Sequence, residues 1–310
     1  MNKILISADS TCDLSPELVE RYNINIVPLH VIFNDVDHKD GVDVIPQDLY
    51  DYYEETGNLA STSATSVGEY IDAFKPFIEQ GYEIVHINLG SALSAAYNNC
   101  VLASKQLPGV YAVDSCNLST GMGLLVIKAA EMRDEDLMTA KGIAKRLGEL
   151  TSQSHASFVV DILDYLVAGG RCSSAAALAV NLLKIKPSIE VHNEDGSMTT
   201  GKKYRGSYNK AMVKYIEDQL SKNKHIDLDR CFVTHTKMDQ ETVDLAIQTV
   251  KDTLPFKEVL ETTAGCTISS HCGPGTLGVL FMTTDKKDKE NKKAKTNKKD
   301  KEAKKETGKE

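Results

Sequence analysis

The sequence predicts an α/β protein of two domains, the first on a mostly parallel sheet and the second an α/β unit with an antiparallel element. Three observations lead there. In the first half, short apolar runs alternate with helical patterns, the signature of βαβ units and of a parallel sheet covered on both faces. In the second, Asn193-Glu194-Asp195-Gly196 is a hairpin turn signal between two β-rich runs. The chain also has 310 residues, of which 41% are hydrophobic and 26% charged, enough for two cores with an ordinary globular balance. The expected organisation is an N-terminal α/β domain over 1–155, a second α/β domain over 156–285, and a Lys-rich tail over 286–310.

Taken in order, residues 3–8 form a short apolar strand ending at Asp9-Ser10-Thr11. A helix then starts at Ser15-Pro16, a capping residue followed by proline in the first turn. Residues 24–33 read as one β-rich run. Ser66-Val67-Gly68-Glu69 is a capping box opening a helix that runs to residue 80. A strand over 83–89, a helix over 94–107, a strand over 110–113 and a helix over 118–133 follow. Beyond residue 151 come a strand over 157–162 and a short alanine-rich buried helix over 172–183. The hairpin pairs 188–192 with 198–204. Helices near 207–222 and 240–253 and strands near 231–235 and 278–282 complete the second unit.

Composition excludes several functions. The N-terminal apolar run stops after three residues at an acidic turn, too short for a signal-peptide core. No uninterrupted apolar stretch is long enough to span a bilayer, so a cytoplasmic protein, not an integral membrane protein, is expected. Seven scattered cysteines without a CxxC pair read as free, mostly buried thiols, and the eight histidines form no metal-binding pattern. The tail carries 12 lysines and 6 acids and has no large apolar residue, so it is expected to be disordered. The net charge of −8 therefore hides a body at −14, which would repel nucleic acid.

Two tempting motifs carry no nucleotide chemistry. Gly196 through Lys203 nearly matches a phosphate-binding loop, but Lys203 stands where a hydroxyl must bind magnesium, and the segment lies in a hairpin. Gly273-Pro274-Gly275-Thr276-Leu277-Gly278 leaves no room before the tail for a crossover helix, so a dinucleotide site is rejected. Its backbone amides could still face an anion.

Two hydroxyl-rich loops are more informative. Residues 61–66 (Ser-Thr-Ser-Ala-Thr-Ser) precede one helix, and Gly90-Ser91-Ala92-Leu93-Ser94 follows a strand and opens another. Loops at the carboxyl ends of parallel strands line ligand crevices, and hydroxyls beside helix N-termini suit a carboxylate. They can equally be ordinary helix caps. Gly169-Gly170-Arg171 lets the chain turn and brings Arg171 to a neighbouring backbone, or to a surface salt bridge. His271, in what reads as a glycine loop after a β-like run, could donate to an anion or be structural.

Over residues 3 to about 284 the sequence resembles the DegV family. The resemblance rests on Asp9-Ser10-Thr11-Cys12-Asp13-Leu14, Thr62-Ser63, Leu93-Ser94 with Tyr97, and Val113-Asp114-Ser115. It continues through residues 165–171 (Tyr-Leu-Val-Ala-Gly-Gly-Arg), 183–187 (Leu-Lys-Ile-Lys-Pro), Arg205-Gly206 and 271–275 (His-Cys-Gly-Pro-Gly). The family usually has Gln-Pro where Ala64-Thr65 stand, and glycines or a threonine around Ala92, Ala95 and Ala96.

The resemblance implies a two-domain α/β fold that holds a long-chain fatty acid such as hexadecanoate between the domains, with no cofactor, metal or catalysis of its own. It implies a separate fatty acid kinase subunit that phosphorylates the carboxylate of the bound acid. By resemblance, Thr62 and Ser94 are the carboxylate-binding hydroxyls, with Ser63, Ser91, His271 and Arg171 in support and Arg205 meeting the kinase. A stand-alone lipid sensor or transporter is the alternative. A hydrolase using Ser94 lacks the GxSxG elbow. About 14 buried methylenes at roughly 0.8 kcal/mol each would give at most roughly 11 kcal/mol before ordering costs, so the chain would supply affinity and the head group orientation.

Overall fold

The computed structural model describes residues 3–176 and 185–284. Most of the alanine-rich segment over 172–183 and the Lys-rich tail lie outside the described residues.

The first half runs β1 (Lys3–Asp9), α1 (Pro16–Arg21), β2 (Ile24–Val27), β3 (His30–Phe33), β4 (Val36–Lys39), α2 (Pro46–Thr56), β5 (Ser61–Ser63), α3 (Val67–Glu79), β6 (Tyr82–Asn88), α4 (Ala96–Ser104), β7 (Val110–Asp114), α5 (Ser119–Asp134) and α6 (Ala140–Leu150). Four of these strands form a parallel sheet in the order β2-β1-β6-β7. The run over 24–33 is not one strand. Pro28 and Leu29 break it, β2 stays in the parallel sheet, and β3 turns away into a separate antiparallel sheet, β4-β3-β5. Proline has no N–H to donate, so a ladder cannot continue through it unchanged.

The second half runs β8 (Ser154–Val159), α7 (Asp164–Gly169), α8 (Ser173–Ala176), β9 (Ile185–Val191), β10 (Met198–Arg205), α9 (Tyr208–Lys222), β11 (Ile226–His235), α10 (Gln240–Thr253), β12 (Glu258–Thr263), α11 (Cys266–Cys272) and β13 (Leu277–Thr283). Among the described residues its six strands are ordered β10-β9-β8-β13-β11-β12, and only β11 and β12 pair in parallel. The hairpin at Asn193–Gly196 joins β9 to β10 as its turn chemistry requires, which leaves the near-match to a phosphate loop on a β-strand. All seven cysteines are unpaired, and all but Cys116 are buried.

The two larger sheets share one hydrophobic core. Ile6, Ala8 and Ile87 of the first meet Phe158, Phe232 and Leu280 of the second within it. Between them runs α5, which touches β1 and β6 on one side and β8, β11 and β13 on the other. Its residues 119–127 are all buried, as expected of a helix without a polar face. Close packing is built in at Gly123, where a Cβ would come within 2.7 Å of the Cys12 carbonyl oxygen.

One buried polar cluster ties the ends of β1 and β6 together. Asp9, His86, Asn88 and Tyr70 are each inaccessible to solvent. Asp9 accepts from the Tyr70 hydroxyl at 2.6 Å and from the Leu89 N–H at 2.8 Å. His86 Nε2 faces the same carboxylate at 3.0 Å, while Nδ1 faces the Ser7 hydroxyl at 2.9 Å. The Asn88 amide donates to Asp9 at 3.3 Å. A buried carboxylate persists only if such donors surround it. Asp9→Ala strands at least the Leu89 N–H and the Tyr70 hydroxyl and is expected to lower the unfolding free energy by about 3 kcal/mol or more, read by urea denaturation. A loss under about 1 kcal/mol would contradict this role.

Candidate functional site

The Asp9 cluster determines where β6 stops and its following loop begins. Residues 89–94 leave β6 in a turn closed by Leu93 N–H to Gly90 O at 2.9 Å. Ser94 lies just before α4, which starts at Ala96 and not at Ser94 as the sequence suggests, and its Oγ accepts from the Ala96 N–H at 3.2 Å. Ser94 is therefore both a local cap and a hydroxyl at a cavity wall. Ser91 is exposed and lies outside that wall, its N–H donating to Asp114 Oδ1 at 3.1 Å.

The other hydroxyl segment is divided by role. Ser66 caps α3, accepting from the Glu69 N–H at 3.2 Å, and the Thr65 hydroxyl donates to Pro28 O at 2.8 Å. Thr62 does neither. It sits in β5, paired with Val31, and its Oγ1 lies 2.8 Å from His271 Nε2 across 209 residues of sequence.

His271 is carried by α11, a helix where a β-like run and loop were expected. The helix is short and almost wholly buried, so its sequence has no polar face and no helical period to read. Side-chain carboxyl oxygens from two loops hold its first turn. Asp40 accepts from the N–H groups of Cys266 at 2.8 Å and Thr267 at 3.2 Å, and Asp13 accepts from Gly265 at 2.9 Å. Free N–H groups at a helix start favour such acceptors. Asp13 also takes the Ser119 hydroxyl at 2.6 Å, and burial pushes its carboxyl up to about 8.

On its other side the His271 ring lies against Gly169, where any Cβ would run into it. The adjacent Gly170 ends α7 in the left-handed region, φ +68°. Arg171 then reaches back, donating to Gly169 O at 2.7 Å and to Leu93 O at 3.4 Å, next to Ser94. Thr62, His271, Gly169, Arg171 and Ser94 thus form one connected group. The glycine-rich run after α11 is not an anion loop, because the N–H groups of Gly273 and Gly275 bond to Ser269 O and Lys237 O.

Burial first, and the Arg171 charge second, hold the His271 imidazole down to about 4, so it is neutral at pH 7. Its Nδ1 is buried with no partner. A bare acceptor costs less there than a bare N–H, which favours the proton on Nε2, donated to Thr62. The Thr62 hydroxyl proton is then free to donate into the cavity.

That cavity encloses about 550 Å³ of empty space, part of it open to solvent. Thr62, Ser63, Ser94, Arg171 and His271 line it, and most of its remaining wall is apolar, including Leu29, Leu89, Leu93 and Met198. A second space of about 320 Å³, its opening to solvent included, adjoins it and shares Leu118, Phe158, Ile268 and Cys272. Five of the seven residues singled out in the sequence therefore meet at one cavity. Ser91 and Arg205, exposed at the end of β10, do not line it. The apolar wall and Thr267 were not singled out, since they come from separate elements and carry no local motif.

A mostly apolar cavity with a few converging hydroxyls and one neutral histidine has the make-up of a small-molecule site. The chain belongs to the DegV family, whose model, described as uncharacterised proteins of that family, matches residues 3–284. A DegV domain-containing protein of Clostridium perfringens is 30% identical over 293 residues, covering 91% of this chain and 99% of the relative. A Thermotoga maritima protein named a fatty acid-binding protein is also 30% identical, covering 92% and 99%. A Thermus thermophilus DegV family structure, described for its fatty acid binding, superposes with a TM-score of 0.82 at 26% identity, covering 92% of this chain and all of that one. Among the described residues, no helix is long and apolar enough to cross a membrane.

The His271 ring is expected to stay neutral down to about pH 4, followed by its ring-carbon NMR shift. In the unfolded chain the imidazole protonates near 6.5, so between 6.5 and 4 the unfolded state holds the extra proton. This site's contribution to stability accordingly falls as pH drops through that window and is constant above it. A ring that titrates near 6.5 in the folded protein would contradict the neutral assignment.

Proposed function

We propose that this protein binds one long-chain fatty acid, with its carboxylate at Thr62 and Ser94 and its acyl chain along the apolar cavity. The single observation that carries the reading is the meeting of Thr62, Ser63, Ser94, Arg171 and His271, distant in sequence, at one apolar cavity. The fatty acid binding described for the Thermus thermophilus and Thermotoga maritima relatives supports it. Three features suit a carboxylate without a buried counter-cation. The Thr62 hydroxyl is freed to donate, the Ser94 hydroxyl keeps its proton while its oxygen accepts from Ala96, and the exposed Arg171 lends a positive potential. The neighbouring apolar space gives a long chain somewhere to continue.

The Thr62–His271 contact pairs a hydroxyl with an imidazole, but no third group orients the ring, whose Nδ1 has no partner, and Ser94 is bonded to a backbone amide. In keeping with what the family resemblance implies, the protein acts as a carrier and presents the carboxylate to a separate fatty acid kinase subunit, with the exposed Arg205 on the docking side. The cell compartment that suits this role is the cytoplasm.

Denaturing extraction of the purified protein is expected to release close to one fatty acid per chain. The paired substitution Thr62→Ala and Ser94→Ala is expected to weaken binding by about 1.5–3 kcal/mol for each charge-assisted bond lost, measured well below a melting temperature that itself falls as the α4 cap and the His271 partner are removed. Absence of lipid, together with no binding of added fatty acid, would overturn the reading. Acyl phosphate is expected only when the kinase subunit is supplied with ATP, and its formation by the isolated chain would make this protein an enzyme.

A further inference from the structure

We propose that Thr267 is a further head-group residue, its hydroxyl donating a hydrogen bond to the carboxylate of the bound acid; this rests on the fatty acid reading above. Thr267 is 3% exposed, lines the cavity, and its Oγ1 has no hydrogen-bond partner. A hydroxyl in a short buried helix ordinarily bonds back to a carbonyl of the preceding turn. The other two hydroxyls of α11 do so, Ser269 to Ala264 O at 3.2 Å and Ser270 to Cys266 O at 2.8 Å. Thr267 alone among the three is left over.

Its position is set independently of that hydroxyl. The Thr267 N–H is held by Asp40 Oδ2 at 3.2 Å, which fixes the backbone at the start of α11 while the hydroxyl stays unpaired. Thr267 stands four residues before His271, on the same helix face and one turn along. That is the face bearing the Thr62–His271 pair. Orphaned buried hydroxyls are uncommon, and one that lines a cavity is placed to pair with a group bound there. The other orphaned oxygens among the described residues, on Tyr50, Asn88 and Tyr208, do not line this cavity. A ligand oxygen at the head-group end supplies what Thr267 lacks.

The test compares Thr267→Val, which keeps shape and removes the hydroxyl, with Thr267→Ser, which keeps the hydroxyl. Dissociation constants of delipidated protein are measured for hexadecanoate and for its methyl ester. Thr267→Val is expected to weaken the acid by about tenfold or more, as loss of a charge-assisted bond should. The uncharged ester should change much less, and Thr267→Ser should stay close to wild type for both. A purely structural role would weaken acid and ester alike, and that result, or an unchanged acid affinity, overturns the proposal. If wild type binds the acid and Thr62→Ala weakens it while Thr267→Val does not, only the role of Thr267 falls. If wild type binds no acid, the fatty acid reading falls with it.

Discussion

Asp9 sits out of reach of water at the end of the first strand, and its carboxyl oxygens have to find their partners within the protein. Its donors are the Tyr70 hydroxyl, the side chains of His86 and Asn88, and the first N–H beyond β6. This constraint aligns the ends of β1 and β6 and pins α3 to the sheet through Tyr70. It also launches residues 89–94 in one direction, which brings Ser94 to the cavity wall. Much of the site's geometry follows from that alignment, because the wall is made where strands end and loops begin. The opposite wall uses the same device, with Asp13 and Asp40 holding the first turn of α11 so that His271 meets Thr62.

The cavity separates its tasks by chemistry. Leucines, Phe158 and Met198 offer surface that gains by covering an acyl chain, while the polar groups are few and close together. Arg171 does not enter as a buried counter-ion. Its guanidinium is spent on the carbonyls of Gly169 and Leu93, linking the loop beside His271 to the loop beside Ser94. A neutral imidazole, exposed hydroxyl protons and a cation at the rim can hold a carboxylate without the desolvation cost of a fully buried ion pair.

Much of this was legible in the sequence, and the failures have physical causes. The runs that became β1, β6 and β7 are short, apolar and flanked by turn or helix signals, and α5 is long enough to be recognised although it has no polar face. The run over 24–33 misled because β-propensity continues across Pro28, while the missing N–H hands the chain to another sheet. The helices α2 and α6 and the strand β12 went unread, although α6 carries a clear period, with Ala140, Ile143, Leu147 and Leu150 buried along one face. The helix α11 was missed because Thr267, Ile268 and their neighbours are buried on all sides and tertiary packing overrode a β-like composition. At the site, Thr62, Ser63, Ser94, Arg171 and His271 could be picked out through family-like motifs. Ser91 shares its motif with Ser94 but faces solvent, a distinction of loop geometry that residue type does not carry. Thr267 and the apolar wall were invisible because a wall assembled from many elements leaves no local pattern.

The most direct test is a crystal structure of the protein loaded with a fatty acid brominated at its terminal carbon, with the bromine located by anomalous scattering. The expected result is a carboxylate within hydrogen-bond distance of Thr62 and Ser94, with the bromine deep among the residues around Phe158 and Ile268. A chain bound elsewhere, or one with its bromine beside Thr62 and its carboxylate at the far end, would contradict the proposed mode of binding.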